Sequence, residues 1–372
     1  MIIGCVKEIK ADEYRVGISP MSAQKYIEHG HEVLIEKGAG VGSGFSDQMY
    51  REVGASLIDN PHVVWQQADL MIKVKEPIPS EYNDLREGAM LFTYLHLAAD
   101  IELTKVLLEK KVTAIAYETV QYPGQGLPLL KPMSVIAGRL ATQQGAKYLE
   151  KTFGGKGVLL SGVDGTQPAN VVIVGAGNVA QNAISMAHGM GANVTVIGNN
   201  IKQLQAITDN YPDRLQSLLS TPENIEAAAI NADLLILCAL VVGGAAPIII
   251  TRELLKKMEP GTVIVDVSVD QGGCAESTRP TTHGEPTYVE DGVVHYCVTN
   301  MPGAVPRSAS LALNHATLPF GLEIANKGFK RSVIENEAIY NGINTYNGHL
   351  VYGAIGRAFN METVDLKEVL DD

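Results

Sequence analysis

The stretch ANVVIVGAGNVA, residues 169–180, constrains this chain more than any other. Its apolar run Val171-Val172-Ile173-Val174 fits a strand buried in a parallel sheet. Gly175, Gly177 and Ala180 follow at GxGxxA spacing. The first glycine permits a tight turn out of the strand, and the second lets backbone approach a pyrophosphate without a Cβ in the way. The alanine lets the next helix pack closely on the sheet. A helix over 179–190 then points its first N–H groups at the phosphates, and a second strand is expected at 193–197. The pattern predicts a dinucleotide site on a βαβ unit. A βαβ turn with no ligand is the alternative reading.

The fingerprint lacks one element. An acidic residue is expected at the end of the second strand, about 20 residues on, to hold the ribose 2′-hydroxyl. Here the strand end reads Val196-Ile197-Gly198-Asn199-Asn200, so Gly198 occupies that place without a side chain. Neither asparagine repels a 2′-phosphate as a carboxylate does, and Lys202 stands nearby. The cofactor is therefore NAD with NADP use left open.

A length of 372 residues predicts two domains, each with its own core. The net charge of −12 argues against nucleic-acid binding and favours a soluble surface. No apolar run approaches the roughly 20 residues of a membrane span, and the charged start MIIGCVKEIK does not resemble a signal peptide. Cys5, Cys238, Cys274 and Cys297 are scattered, without paired or zinc-type spacing, as expected of reduced, buried cysteines in a cytosolic protein. The histidines show no ligand clustering, so no catalytic metal is expected.

Before the fingerprint, strand-like runs at 2–6, 32–35, 69–74, 89–94 and 112–117 alternate with helical patterns such as 22–29 and 101–111. That alternation predicts a second parallel sheet. Gly38, Gly40, Gly42 and Gly44 imitate a phosphate loop, but no helix opens after them, and Asp47 reads as a helix N-cap. Ser134 is expected to cap a helix running to about residue 152 and crossing between domains. The glycine-rich segment 154–165 suggests an exposed hairpin. Further strands are expected at 232–240, 261–267 and 292–298, and a long helix from about Arg307 returns the chain to the first domain. The fold class is α/β: two Rossmann-like, doubly wound parallel-sheet domains separated by a cleft. The first comprises 1–130 plus 307–372 and the second 131–306.

Arg15 follows the first strand, while Lys75 and His96 close two later ones. Ligands of parallel sheets bind outside the carboxyl ends of strands. An arginine can clamp a carboxylate bidentately, a lysine can donate to a carbonyl oxygen, and a histidine can move a proton near neutral pH. Asp270 stands beyond the strand containing Val263-Ile264-Val265-Asp266-Val267 and would face the nucleotide. Each has a structural alternative: Arg15 held only by Asp12 or Glu13, Lys75 a solvated edge residue, His96 a satisfied structural histidine, and Asp270 the cap of a glycine-rich turn.

Longer strings carry a family resemblance: Lys7-Glu8 with Arg15-Val16, VKEP at 74–77, PMSVIAGRLATQQGA at 132–146, DQGGCAESTRPTTH at 270–283 and NMPGAVPRS at 300–308. Through them the chain resembles, end to end, the L-alanine dehydrogenases and their relative, the NAD(H)-binding subunit of nicotinamide nucleotide transhydrogenase. The resemblance implies reversible NAD-dependent deamination of L-alanine to pyruvate and ammonium by a cytoplasmic homohexamer. It implies that Arg15 and Lys75 hold the substrate and that His96 and Asp270 form the catalytic pair. NAD contacts are implied at Ser134, Asn178, Val179, Ser220, Ala239, Leu240, Val267, Ser268, Val269, Asp270, Arg279, Val298, Thr299, Asn300 and Met301, beside Gly175 and Gly177. The chain departs from the family at Gly198, where Asp is usual, and at Gln203, where a basic residue is usual; both adjoin the adenosine ribose. A transhydrogenase-type subunit and a non-catalytic NAD(H) sensor are the rival readings. The complete set of Arg15, Lys75, His96 and Asp270 argues against both.

Overall fold

A computed structural model describes residues 1–239 and 246–370. Leu240, expected at the nucleotide, lies outside the described residues. The chain folds as two compact units, Met1–Met133 with Val305–Asp372, and Ser134–Ala304.

The strands, in chain order, begin with β1 (Ile2–Cys5), β2 (Glu32–Glu36), β3 (Ser56–Ile58), β4 (Leu70–Ile72), β5 (Met90–Thr93) and β6 (Thr113–Ala116) in the first unit. The second unit holds β7 (Asn170–Val174), β8 (Asn193–Gly198), β9 (Leu215–Leu219), β10 (Leu234–Leu237), β11 (Val263–Asp266), β12 (Thr287–Glu290) and β13 (Val293–Tyr296). The chain then adds β14 (Ile343–Tyr346) and β15 (His349–Leu350) to the first unit.

Among the described residues the first sheet runs β15-β14-β6-β5-β4-β1-β2-β3, and the second β12-β13-β11-β10-β7-β8-β9. Both contain the same winding. The next two strands step to one side of the opening strand, and the chain then crosses to its other side, so each sheet has a switch point beside its first strand. This is the expected doubly wound α/β class. The pairings within the winding are parallel, as between Val171 and Val194 or between Ile236 and Ile173. The antiparallel strands, β12 in one sheet and β14 with β15 in the other, extend its edge.

The central strands carry apolar residues on both faces because helices cover both. β7 is buried from Val171 to Val174, and β10 throughout. Helix starts follow short polar caps: Ser19 accepts from Ser22 N, and Asp100 from Leu103 N. The long helix Pro306–Lys327 packs on the first unit. There Gly321 leaves room for Tyr26, whose hydroxyl would lie 2.0 Å from an added Cβ.

Several local expectations need correction. The helix Lys131–Tyr148 begins three residues before Ser134, which therefore lies inside it and is not its cap. Ser46, not Asp47, caps the helix Asp47–Glu52; the Asp47 carboxylate instead accepts Gly38 N at 2.8 Å. Segment 154–165 forms no hairpin. It is built from turns anchored by Lys156 N to Gly261 O and Gly157 N to Leu149 O, since glycines at positive φ break the extended run a strand needs. Beyond the long helix, the chain contains β14, β15 and, among the described residues, four short helices.

Candidate active site

In the first unit, β5, β4 and β1 are sheet neighbours, and His96, Lys75 and Arg15 follow their respective carboxyl ends. Adjacent strands lie about 4.8 Å apart, so the topology gathers onto one sheet edge residues distant in sequence. A buried or half-buried carboxylate fixes each of them.

Arg15 is buried, only 2% exposed. Its Nε and Nη2 donate to the two carboxylate oxygens of Glu13 at 2.7 and 2.5 Å, and its Nη1 donates to Met133 Sδ at 3.1 Å. The Glu13 pairing in the alternative reading is therefore real, and it takes the side-on fork that was to clamp a substrate carboxylate. Burial opposes the guanidinium's charge, but Glu13's hydrogen bonds and charge outweigh it, so the arginine stays firmly protonated. The loop is tied down further where Val16 N donates to Ser310 Oγ at 3.0 Å.

Lys75 is half-buried rather than a solvated edge residue. Its backbone N–H, with that of Val74, donates to Glu8 Oε1 at 3.4 and 2.6 Å, and its carbonyl accepts from Thr93 Oγ1. Glu8 is held by the fully buried ammonium of Lys73, which also pairs with Glu81. Burial works against that charge, but the two carboxylates keep Lys73 protonated. The ammonium of Lys75 itself is pulled below the ordinary lysine value, first by burial and then by the charge of Arg15.

His96 adopts the left-handed region, with φ 49° and ψ 37°. Glu118, beyond β6, accepts the N–H groups of Leu95 and His96, the latter at 2.6 Å. Its Oε1 lies 3.9 Å from His96 Nδ1. The imidazole is 51% exposed and stacks on Tyr94, with ring centres 6.0 Å apart. It is thus no satisfied structural histidine. A non-glycine residue held in this region costs about 1–3 kcal/mol, strain that gathers at functional sites.

In the second unit, Gly175 closes β7 at φ 131°, donating its N–H to Ile197 O at 2.8 Å. Gly177 is the N-cap of the helix Asn178–Gly189 and supplies no capping side chain, and a Cβ built on it meets nothing within 4 Å. Val179 follows in the first turn, and Ala180 is fully buried against the sheet. Open space at a helix start lined by N–H groups fits a dinucleotide phosphate. Gly198 ends β8, and its carbonyl accepts Ser220 N beyond β9. Asn200 caps the next helix, and Gln203 Nε2 folds back onto Ala176 O at 2.7 Å. Lys202 is exposed.

The other expected nucleotide residues follow β10, β11 and β13 at the same sheet edge. Ser268 Oγ donates to Ala239 O at 2.8 Å, and Val267 N to Leu237 O. Val269 is buried, and Asp270 is exposed, its carboxylate making no hydrogen bond among the described residues, so it caps no turn. Arg279 stacks its guanidinium over Tyr288 at 4.1 Å. Val298 and Met301 are buried, Thr299 N donates to Thr281 O, and Asn300 has a positive φ of 58°. Ser134 lies on the helix Lys131–Tyr148, away from these strand ends in sequence.

The cysteines are all free thiols. Burial pushes Cys5 and Cys297 up to about 12 and Cys274 to about 11, so none of these three is a poised nucleophile. Among the described residues no group of three His, Cys, Asp or Glu could hold a metal, and no helix is long and apolar enough to cross a membrane.

Sequence reasoning missed Glu8, Glu118 and Asp266, whose carboxylates bind backbone N–H groups of site segments. Their only signal is position near strand ends, shared by many surface carboxylates.

Comparison with known proteins covers the chain from end to end. The alanine dehydrogenase/PNT N-terminal domain matches residues 4–137 and the C-terminal domain residues 141–353. An alanine dehydrogenase of Bacillus subtilis is 50% identical over 373 residues, covering 100% of this chain and 98% of the relative. One from Methanococcus maripaludis is 49% identical, with both chains fully covered. A solved L-alanine dehydrogenase superposes with a TM-score of 0.94 at 48% identity, over 97% of this chain and 99% of the other. A transhydrogenase from Sinorhizobium meliloti shares the fold, with a TM-score of 0.83 at 24% identity over 94% of this chain and all of the other. Two whole-length relatives, two matched domains and one near-superposable structure agree, and the chain belongs to the alanine dehydrogenase/PNT family.

Proposed function

We propose that this chain is an L-alanine dehydrogenase: L-alanine, water and NAD give pyruvate, ammonium, NADH and a proton, reversibly. The observation that carries the reading is the convergence of Arg15, Lys75 and His96 on neighbouring strand ends, in a chain about half identical to curated alanine dehydrogenases along its length.

The first unit supplies the substrate-holding groups and the second the nucleotide-binding ones. Gly175, Gly177, Asn178 and the strand-end residues from Ser220 to Met301 would hold the dinucleotide, which when bound takes the hydride from the alanine α-carbon. Arg15 acts through its charge on the substrate carboxylate, with its plane set by Glu13. Lys75 donates to the oxygen of pyruvate or of the carbinolamine. Its depressed proton affinity makes that ammonium a better hydrogen-bond donor than an ordinary lysine. His96 takes one proton of the attacking water and hands it to the carbinolamine nitrogen, then takes the hydroxyl proton as the C–N bond breaks, so that both protons leave with ammonium. Its ring is half exposed, with Glu118 Oε1 3.9 Å from Nδ1. Asp270 orients water and stabilises the cationic iminium through its charge.

The finer parts of the reading concern cofactor and assembly. Gly198 places no carboxylate beside the ribose and Lys202 is exposed, which supports some NADP use. By family resemblance the assembly is a cytoplasmic homohexamer.

The test is a screen of the purified chain, crossing alanine, serine, pyruvate and glyoxylate with both cofactors and following the reduced nicotinamide by absorbance. Alanine-dependent reduction of NAD is expected. NADH binding without turnover of any acid would overturn the reading in favour of a transhydrogenase-type subunit or a sensor. A preference for NAD above about a hundredfold would remove the NADP part.

A further inference from the structure

Asp266 ends β11 and is fully buried. Its Oδ1 accepts Ser268 N at 3.0 Å, and its Oδ2 accepts Cys274 N at 2.7 Å and Thr278 Oγ1 at 2.6 Å. These donors bracket Asp270 on both sides, so segment 268–278 closes on one side chain. Within it, Gln271 N and Gly273 N donate to Ser268 O, and Gly272 N donates to Val269 O. Gly272 and Gly273 turn the chain at φ 97° and 81°.

The centre of the loop is filled. A Cβ on Gly273 would lie 2.3 Å from Thr278 Cγ2 and 2.8 Å from Asp266 Oδ2. From the outside, Ser268 Oγ donates to Ala239 O just beyond β10, which ties the loop to the segment leaving the neighbouring strand. Only an acceptor at both oxygens satisfies this arrangement, because all three partners are donors. An asparagine would aim its own N–H₂ at one set of them and leave buried donors unmet, which is costly.

We infer that Asp266 is a positioning residue. Its carboxylate folds segment 268–278 so that Asp270 is held at the exposed tip, and Arg279 follows directly on the closing anchor Thr278. The inference rests on the proposed deamination for what Asp270 does there. Asp266 touches no reacting atom in this account; it acts through the loop. That distinguishes it from Glu8 and Glu118, each of which binds two successive N–H groups and closes no loop.

The experiment compares Asp266→Asn, Thr278→Val and the double variant in the full-length protein. Amide hydrogen exchange is read without nucleotide, NADH affinity by fluorescence, and alanine kinetics separately. In Asp266→Asn the Ser268 and Cys274 amides should lose protection by at least about tenfold. Its kcat should fall at least about tenfold, while KM for alanine, set by the first unit, stays within about threefold. Thr278→Val should show a smaller loss on both readouts and add little to Asp266→Asn, as expected of partners in one network. A kcat at the wild-type level in Asp266→Asn, unchanged protection of the two amides, or full additivity of the pair would overturn the inference. If Asp266→Asn does not fold, Thr278→Val decides by the same readouts. A wild-type chain that turns over no alanine would sink the deaminase reading instead, and exchange and NADH affinity would still judge the loop.

Discussion

Alanine at Gly175 and, separately, at Gly177 distinguishes what the fold requires from what a dinucleotide requires. At Gly175 φ is 131°, and an added Cβ would lie 2.9 Å from both the carbonyl oxygen and the sulfur of Cys238. Strain at such a φ costs about 1–3 kcal/mol, and overpacking against a fixed backbone about 1–3 kcal/mol more. Gly175→Ala should therefore destabilise the Ser134–Ala304 unit by about 2–6 kcal/mol. Its melting midpoint should fall by roughly 5 °C or more. Gly177 has φ −76° and ψ −165°, a conformation alanine adopts, and its Cβ would enter open space. Gly177→Ala should cost the protein only the difference between two N-caps, within about 1 kcal/mol. Yet under the proposed nucleotide role the added methyl would enter the approach to the phosphates, and the Kd for NADH should rise at least about tenfold, equivalent to about 1.4 kcal/mol. Thermal unfolding without nucleotide, followed by circular dichroism, measures the first effect. Fluorescence titration with NADH measures the second. Wild-type NADH affinity in Gly177→Ala would refute the assignment of that space, and a wild-type midpoint in Gly175→Ala would refute the strain argument.

His96→Ala and Asp270→Asn should each lower kcat by at least about a hundredfold while NADH affinity changes far less; near-normal turnover in either removes that residue from the mechanism. The lowered proton affinity of Lys75 means its charge is lost as pH rises through a value below the ordinary 10.5. Substrate binding should weaken on an alkaline limb beneath that pH, seen in kcat/KM for alanine, and a limb at or above it would contradict the burial argument. For stability the sign is opposite to that of a salt-bridged lysine. The folded state binds its proton less readily than the unfolded one, so the penalty is fully present below the lowered pKa and is relieved as pH rises toward 10.5. Gly198→Asp restores a carboxylate where Leu204 Cδ2 and Ala176 Cβ, 3.2 and 3.3 Å from the new Cβ, must shift slightly. The ratio of NAD to NADP turnover should rise at least about tenfold, and an unchanged ratio would show that the ribose is read elsewhere.

Local pattern carried much of this protein. An apolar run followed by glycines at fixed spacing has few physical solutions, so the β7 turn, the helix Asn178–Gly189 and the doubly wound class could be read from residues alone. The same holds for the placing of Lys75 and His96, because a polar residue just past a buried strand emerges at a sheet edge; Arg15 lies further on, in the loop after β1. Short edge strands were less legible: β14 and β15 pair only because β6 offers an unsatisfied edge distant in sequence. The helix starts at Ser46 and Lys131 were missed by a residue or a few, since neighbouring polar side chains compete for the same N–H groups.

Tertiary structure alone decided which strands stand side by side, and with that which charges meet. Nothing local says that Glu118 pins His96 or that Asp266 gathers Cys274 and Thr278, whereas the pairing of Arg15 with Glu13, two residues apart, was among the sequence's own alternatives. Sequence determined the chemical kinds present at the strand ends, because burial and turn geometry act over a few residues. The posture of each group was settled by carboxylates brought from other strands or across a turn, and a hydrogen bond depends on distance in space, not along the chain.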